Sequence, residues 1–443
     1  MSEIASFLKR DLVGDGDAFI SKIVTDSREA SYDTLFVPIL GTVHDGHNFI
    51  KDCYDKGCRN FLIDDNHDMD LIDVNFIKVS DTTRALGEIA KGYKEKFNIP
   101  FVAITGSVGK TSAKDMVYGI LSEKFNTLKN EGNFNNEIGL PKTLLNLDSS
   151  HEVAITEMGM YVKGEISYLC SLVNPDVAVI TNIGMSHIEN FDSQDGIFEA
   201  KMEIAQKFEK NNTLIVNGDD KYLKTLIDKK HDYKLITCGF EKYNDIHCKS
   251  YEICDNQIKF VCVYNNLEHE FVINNLAKHN ILNAMLSIAV GLCFDLSYEE
   301  LRNGLLNFSL SKNRLDIFNT GKYKIIDDTY NASYDSMVSA LDVLNNFNGR
   351  KVAILGDIFE LGNLSEEIHR NVGKAVSCDV LVTIGNNAKF ISEEAKNNGV
   401  LCYHFFSKNL FYKEMDNILL DGDNILLKAS RAMEFDKIIE ELK

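Results

Sequence analysis

The sequence lacks the features that mark several common classes of protein. Its 10 cysteines include no Cys-x-x-Cys pair and no cysteine and histidine spacing of the kind a zinc site needs, so we expect reduced thiols rather than a metal or disulfide framework. No apolar run reaches the ~18 residues that a membrane-spanning helix requires. Basic residues are few, 47 against 66 acidic ones, and they form no stripe, so nucleic acid is not an expected partner.

The N-terminal stretch is equally uninformative as a targeting signal. It reads MSEIASFLKRDLVGDGDAF, with an acid at its third position and no apolar core, so we expect no secretion signal and a cytoplasmic protein. Apolar residues make up 44% and charged residues 26% of the chain, which is the balance of a globular protein. At 443 residues, the length predicts about three domains.

Short apolar runs alternate with amphipathic stretches from Phe101 onward, which predicts parallel strands alternating with helices. The predicted strands are Phe101–Thr105, Glu152–Thr156, Val177–Asn182, Thr213–Asn217, Lys234–Thr237, Tyr323–Asp327, Lys351–Leu355, Val380–Ile384 and Asn424–Lys428. Between the two series, residues 245–273 alternate polar and apolar side chains, which indicates a small antiparallel excursion. The expected fold class is α/β.

Two joints divide the chain. Asn98-Ile99-Pro100 carries a proline before the central strands, and Lys312-Asn313-Arg314 follows a predicted helix at Tyr298 to Asn307. The first hundred residues contain short strand-like pieces and little long helix. We therefore predict domains at 1–99, 100–312 and 313–443.

The clearest motif runs from the strand FVAIT into a glycine-lysine-threonine loop and then a helix. Met116, Val117, Ile120 and Leu121 give that helix one apolar face, so the loop lies at a helix N-terminus, where backbone N–H groups favour an anion. We predict ATP as the ligand, with magnesium. The predicted phosphate-loop residues are Gly106, Ser107, Val108, Gly109, Lys110, Thr111 and Ser112.

Two qualifications apply to this loop. A turn whose glycines merely permit positive φ would show the same letters, but strand, loop and helix all fall where phosphate binding requires them. Ile104 also stands where the first glycine of the general P-loop pattern belongs. The shortened pattern, T-G-x-x-G-K-T, disfavours an ordinary kinase or GTPase.

Further motifs follow the loop in order. They are GNFNNEIGLP (132–141), TEMGM (156–160), TNIGMSH (181–187), KHNILNA (278–284), RLDIF (314–318), IDDTYNA (326–332) and ILGDIFELG (354–362), with KIVTDSR and DGHNF before the loop. Together they resemble the Mur ligase family over nearly the whole chain, and GNFNNEIGLP with EMGM is most similar to its MurF type.

The resemblance implies an enzyme of peptidoglycan biosynthesis. Its substrates would be UDP-N-acetylmuramoyl-tripeptide, D-alanyl-D-alanine and ATP, with two Mg²⁺ ions, and the amide would form through an acyl phosphate. It implies a first domain that holds the UDP-linked substrate, a central ATP-binding domain and a C-terminal Rossmann-like domain. A monomer without membrane insertion is expected.

The resemblance also implies the ligands of the metal ions. These are Thr111, Glu157, His187 and a carbamylated Lys201. Glu157 and His187 each follow an apolar strand, where parallel strands present ligand-binding side chains. Taken singly, Glu157 is read more readily as a solvated carboxylate and His187 as a hydrogen-bonded loop histidine, but their joint order after the phosphate loop favours metal ligands. Composition alone would make Lys201 a surface partner of Glu199 or Glu203.

The remaining roles come from motif matches. Asn280 and Asn283 are implied near adenine, Arg314 at the γ-phosphate, and Asp328 at the ribose. Asparagines that cap a helix start are the alternative for the first two.

Substrate contacts are implied for Ser27, Arg28, Asp45, Gly46, His47, Asn135, Asn136 and Asn331. A simple turn explains Asp45-Gly46 equally well.

One departure and two alternatives stay open. The family usually has Asn-Pro where this chain has Ser333-Tyr334, and tyrosine lacks the fixed φ of proline. A related ligase, such as folylpolyglutamate synthase or the ligase that adds the third stem residue, would share the phosphate loop. A non-catalytic ATP-binding protein would share it too.

Overall fold

The computed structural model describes residues 1–41, 44–254, 257–309 and 311–443. The chain forms two compact units. The first comprises residues 1–103, 126–160 and 164–176, and the second comprises 104–125, 161–163 and 177–443. Within the described residues the strands make three sheets, and helices alternate with most strands, so the α/β prediction is confirmed.

The N-terminal hundred residues contain short strands, as expected. Their elements are α1 Ser2–Leu8, β1 Leu12–Val13, β2 Lys22–Val24, β3 Thr34–Phe36, α2 Ile50–Asp55, β4 Asn60–Asp64, β5 Asn75–Val79 and α3 Thr82–Lys94. The strand order is β1-β5-β4-β3-β2, and all neighbours are parallel except β1 with β5.

Both faces of this first sheet are covered. Leu35, Leu62 and Ile77 point into one apolar cluster with Leu86 of α3, and the alternate residue Phe61 points into a second cluster. Each such buried side chain contributes about 2 kcal/mol to folding. A parallel sheet buried on both sides is the expected environment for such apolar strands.

The central stretch contains the predicted strands and an antiparallel meander. Its elements are β6 Phe101–Thr105, α4 Lys110–Leu121, β7 Thr127–Lys129, α5 Gly139–Leu144, β8 Val153–Glu157, α6 Glu165–Val173, β9 Val177–Ile180, α7 Gln194–Met202, β10 Thr213–Asn217, β11 Lys234–Gly239, β12 Ile246–Cys254, β13 Gln257–Tyr264, β14 Leu267–Ile273, α8 His279–Cys293 and α9 Tyr298–Asn307. In the first unit, β7 pairs parallel with β8. In the second, β9, β10, β11 and β12 are parallel neighbours, and β12, β13 and β14 form the meander. Residues 255 and 256 of the predicted excursion lie outside the described residues.

Among the predicted strand ends that were wrong in this stretch, two concern site residues. The strand placed at Glu152–Thr156 is Val153–Glu157, so Glu157 closes the strand instead of following it. The strand placed at Val177–Asn182 stops at Ile180, because the side chains of Thr181 and Asn182 turn to the phosphate loop. The other predicted strands begin or end within two residues of the observed bounds.

The C-terminal stretch forms an open, mostly parallel sheet in the second unit. Its elements are β15 Asp316–Asn319, β16 Lys324–Asp327, α10 Tyr334–Asn345, β17 Lys351–Gly356, α11 Ser365–Ala375, β18 Val380–Ile384, α12 Lys389–Asn397, β19 Leu401–Phe405, α13 Lys408–Ile418, β20 Asn424–Lys428 and α14 Asp436–Leu442. The order is β15-β16-β20-β17-β18-β19, and only β15 is antiparallel to its neighbour. The carboxyl ends of β16 and β20 therefore lie side by side.

Candidate active site

The phosphate loop joins β6 to α4 in the second unit. Gly106 has φ +152°, and a Cβ there would lie 1.9 Å from Thr181 Oγ1, so only glycine fits. Gly109 has φ +82° and is the N-cap of α4. Val117 and Ile120, like the rest of the predicted apolar face, are fully buried. The helix N-terminus therefore opens at the loop, as predicted.

Asn182 holds the loop in shape, a role that the sequence analysis missed. Its Oδ1 accepts hydrogen bonds from the backbone N–H groups of Ser107 (3.1 Å) and Val108 (2.9 Å). Thr181 Oγ1 donates to the Val108 carbonyl at 2.6 Å. The N–H groups of Ser107 and Val108 are thus turned toward Asn182, and the loop is preorganised by side chains that follow β9.

Lys110 and Arg314 bring two positive charges to the start of α4. Lys110 Nζ donates to the carbonyls of Gly106 (2.8 Å) and Ser107 (3.3 Å), so its ammonium lies over the loop. Arg314 Nη2 donates to Thr111 Oγ1 at 2.8 Å, and its guanidinium lies 3.9 Å from the Tyr330 ring centre. Arg314 Nε is buried and has no hydrogen-bond partner among the described residues. A phosphate oxygen would supply that partner.

Lys201 is buried in α7 and is not a surface residue. Its side chain is 2% exposed, and burial followed by the charge of Lys110 holds its pKa well below the usual range. The alternative of an ion pair with Glu199 is wrong, because Glu199 pairs with Lys163 at 2.9 Å. A buried, neutral amine is the form that reacts with carbon dioxide, so Lys201 fits the predicted carbamate and a Mg²⁺ site.

His187 lies in the left-handed region, with φ +63°, on the turn after β9. Burial, and then the charge of Lys110, lower its pKa to about 4, so the ring is neutral at physiological pH. The Tyr161 ring packs edge-on at 4.8 Å, and the Glu360 carboxylate contacts Nδ1. A neutral imidazole is the form that binds a metal.

Glu157 belongs to the first unit, where three asparagine contacts fix it. It is 2% exposed, and its Oε1 accepts a 2.8 Å hydrogen bond from Asn135 Nδ2. Its backbone N–H donates to Asn130 Oδ1 at 2.8 Å, and Asn130 Nδ2 donates to its carbonyl at 3.3 Å. Asn136 Oδ1 accepts from the Gly139 N–H at 2.9 Å and begins α5. In this structure the side chains of Asn135 and Asn136 therefore make hydrogen bonds within the first unit, to Glu157 and to the start of α5.

The two predicted adenine residues form a side-chain ladder within α8. Asn280 and Asn283 are 1% and 3% exposed. Asn283 Nδ2 donates to Asn280 Oδ1 at 2.9 Å, and Asn280 Nδ2 donates to Asn275 Oδ1 at 2.8 Å. The capping alternative is wrong, because neither side chain caps the helix start. Asn283 also contacts Gly109, since a Cβ there would lie 3.1 Å from its Oδ1.

The residues of the first unit that are predicted to bind substrate differ in their exposure to solvent. The Arg28 side chain is 84% exposed and pairs with Asp26, which caps the short helix Ser27–Glu29. His47 has a side chain that is only 2% exposed and stacks on His67 with ring centres 3.8 Å apart. A Cβ at Gly46 would lie 2.5 Å from the Ile39 nitrogen, and Asp45 Oδ1 accepts from the His47 N–H at 2.9 Å. The turn explanation of Asp45-Gly46 is thus supported locally.

Comparison with known proteins gives the family. Residues 19–94 match the Mur ligase family, catalytic domain; 104–291 match the Mur ligase middle domain; and 313–431 match the Mur ligase, glutamate ligase domain. The UDP-N-acetylmuramoyl-tripeptide–D-alanyl-D-alanine ligase of Bacillus subtilis (strain 168) is 35% identical over 438 residues, which cover 96% of this chain and 93% of that protein. The chain belongs to the Mur ligase family.

Solved structures agree with this assignment. MurF from Acinetobacter baumannii superposes with a TM-score of 0.93 at 28% identity, over 99% of this chain and 97% of that one. MurF ligase from Thermotoga maritima, in complex with ADP, superposes with a TM-score of 0.85 at 25% identity, over 96% and 98%. The predicted MurF type and three-domain α/β architecture are confirmed, whereas the individual site residues and domain boundaries stay predictions. Within the described residues, no helix is long and apolar enough to cross a bilayer.

The Ser333-Tyr334 departure from the Mur ligase pattern has a local explanation. Ser333 is the N-cap of α10, its Oγ accepts from the Ser336 N–H at 3.4 Å, and Ser336 Oγ completes the capping box. Tyr334 is the first residue of the helix, the position that proline also favours. Serine thus replaces asparagine as a cap, and the loop keeps a defined end.

Proposed function

We propose that this Mur ligase joins D-alanyl-D-alanine to the terminal carboxylate of UDP-N-acetylmuramoyl-tripeptide, with release of ADP and phosphate. It is an ATP-dependent, amide-forming ligase of peptidoglycan biosynthesis. The observation that carries the proposal is that Lys110, Thr111 and Arg314 lie together at the start of α4. The chain also matches the D-alanyl-D-alanine ligase of Bacillus subtilis over 96% of its length.

The chemistry begins with the substrate carboxylate. A carboxylate oxygen attacks the γ-phosphorus of ATP, and the bond between that phosphorus and the bridging β-phosphate oxygen breaks. ADP departs, and the substrate becomes an acyl phosphate. Approach of one anion to another requires positive charge. Lys110 and the half-buried Arg314 supply it beside the loop, and such preorganised charges contribute several kcal/mol to the transition state.

The amine of the dipeptide then attacks the acyl carbon. The C–N bond forms, the bond from the acyl carbon to the phosphate oxygen breaks, and phosphate leaves. The ammonium group loses two of its three protons to solvent and phosphate, and the third stays on the amide nitrogen. In the proposed assignment, Thr111, His187 and carbamylated Lys201 hold Mg²⁺, and Glu157 is a further ligand. When bound, Mg²⁺ offsets the charge on the transferring phosphoryl group.

The other predicted roles are part of the same proposal. Asn280, Asn283 and Asp328 bind the nucleoside, while Ser27, Arg28, Asp45, Gly46 and His47 hold the UDP-linked substrate with Asn135 and Asn136. Asn331 binds the dipeptide. The domains are 1–99, 100–312 and 313–443. The protein acts as a monomer in the cytoplasm, where its nucleotide substrates are made.

A substrate panel tests this proposal. Purified protein, ATP, Mg²⁺ and UDP-N-acetylmuramoyl-tripeptide are incubated separately with D-alanyl-D-alanine, L-glutamate and diaminopimelate, and products are identified by mass spectrometry. We expect a pentapeptide product with the dipeptide alone. Product with a single amino acid, or tight ATP binding without turnover in any mixture, contradicts the proposal.

A further inference from the structure

Lys428 carries a buried positive charge that the proposed chemistry does not yet use. It is the last residue of β20, and its side chain is 3% exposed. Nζ donates to Asp328 Oδ2 at 2.5 Å and to the Asn331 carbonyl at 2.9 Å. A buried ammonium is costly unless it is paired, so each of these contacts holds its partner firmly.

Asp328 links this ammonium to the segment that carries Arg314. Its Oδ1 accepts a 3.3 Å hydrogen bond from the Leu315 N–H. Leu315 has φ +53°, a left-handed conformation that is strained for a leucine. The hydrogen bond to Asp328 helps to hold that conformation, and therefore the backbone from which the Arg314 side chain extends.

The same pair of charges reaches the start of α8. Burial is the main reason that the pKa of His279 is lowered to about 4. The negative charge of Asp328 opposes this shift and the positive charge of Lys428 adds to it, so both groups act on this ring. His279 precedes Asn280, the first of the two predicted adenine residues. Lys428 thus contacts Asp328, a predicted nucleoside residue, and Asn331, the predicted dipeptide residue.

We propose that Lys428 is a positioning residue that couples the nucleotide to the incoming dipeptide, by holding the Asp328 carboxylate and the Asn331 backbone with one ammonium group. The inference rests on the proposed function, which assigns Asp328 to the ribose and Asn331 to the dipeptide. The ammonium group of Lys428 has three N–H donors, so one lysine can hold two acceptors at once. Ribose hydroxyls that bind Asp328 then stabilise the arrangement in which Asn331 meets the dipeptide, and the coupling is reciprocal.

The test compares full-length wild type with Lys428→Met. Calorimetry gives the affinities for ADP and 2′,3′-dideoxy-ADP, and steady-state assays give the KM for D-alanyl-D-alanine at saturating and limiting ATP. In wild type we expect ADP to bind about tenfold more tightly than 2′,3′-dideoxy-ADP, which is the effect of hydrogen bonds to one charged group. We also expect the KM for the dipeptide to fall as ATP becomes saturating. In Lys428→Met we expect both effects to shrink at least threefold, since the coupling energy that is lost is of this size.

Arg350→Met is the matched control. Arg350 Nη1 pairs at 2.6 Å with Asp423, which is 1% exposed, so a comparable ion pair of the same sheet is broken away from Asp328. We expect unchanged nucleotide preference in this variant. In a double-mutant cycle, Lys428→Met should add nothing to the loss of ribose preference caused by Asp328→Asn.

Three results overturn the inference. They are an unchanged ADP preference in Lys428→Met, an equal loss in Arg350→Met, and additive effects in the cycle. If circular dichroism shows that Lys428→Met does not fold, Lys428→Gln, which keeps one donor, takes its place under the same criteria. Failure of the proposed function is a separate result, because wild type would then give no phosphate release with both substrates.

Discussion

Arg314 Nη2 donates a 2.8 Å hydrogen bond to Thr111 Oγ1, across 203 positions of sequence. Thr111 lies in the first turn of α4, where the predicted metal ligand and the helix N-terminus coincide. The contact shows how the segment after α9 delivers a guanidinium to the phosphate loop. It also makes Arg314 the most direct target for mutation.

Arg314→Lys should lower kcat about 100-fold, because lysine keeps the charge but loses the planar donors that we propose to bind the γ-phosphate. Phosphate release under saturating substrates measures the effect. Arg302→Lys is the control, since Arg302 is 48% exposed and pairs with Glu299 on the surface. Equal activity of wild type and Arg314→Lys would remove Arg314 from the chemistry.

Lys201→Ala should abolish ligation, with a loss of at least about 100-fold. Short carboxylic acids such as acetate should restore part of the activity, because they can replace the oxygen ligand of the carbamate. Lys163→Ala, which removes an exposed lysine, should keep full activity with or without acetate. Full activity of Lys201→Ala in plain buffer would show that no modified lysine is needed.

Acid should destabilise the fold through His279. Its folded pKa of about 4 lies below the ordinary value of 6.5, so the unfolded chain binds the extra proton. The stability that the neutral ring contributes is present above pH 6.5 and is lost as the pH falls from 6.5 toward 4, by about 2 kcal/mol for this partly exposed ring. Melting temperatures of wild type and His279→Gln should therefore converge between pH 7.5 and 5, and a constant difference over that interval contradicts the prediction.

The α10 cap predicts opposite outcomes for two neighbouring substitutions. Ser333→Ala should lower the free energy of unfolding by about 1 kcal/mol, because the Ser336 N–H loses its acceptor. Tyr334→Pro should be tolerated, since proline suits the first helical position. Thermal unfolding of both variants checks this, and a larger loss in Tyr334→Pro than in Ser333→Ala would mean that the loop differs from the one described.

The sequence predicted local structure best where one short segment decides it. Strand β6 has the predicted bounds, Phe101–Thr105, because apolar residues end at a glycine turn. Helix α9 likewise has its predicted bounds, Tyr298–Asn307, and a Ser297 capping box explains its start. The buried face of α4 followed from its periodicity for the same reason.

Contacts between distant segments were beyond prediction. Asn182 lies about 75 positions from the loop that it holds, and Lys428 lies 100 positions from Asp328. Neither residue type has a spacing rule that would link it to its partner, so only the fold brings them together. Thr181-Asn182 did occur in a quoted motif, TNIGMSH, and its position directly after an apolar run was the available signal.

If the amide forms through an acyl phosphate, an oxygen atom of the substrate carboxylate must end in the released phosphate. UDP-N-acetylmuramoyl-tripeptide carrying ¹⁸O at both oxygens of its terminal carboxylate is turned over with ATP and D-alanyl-D-alanine, and the released phosphate is analysed by mass spectrometry. We expect one ¹⁸O atom in each phosphate, because the carboxylate oxygen that attacks phosphorus leaves with it. Phosphate without ¹⁸O, formed together with the pentapeptide, would contradict it.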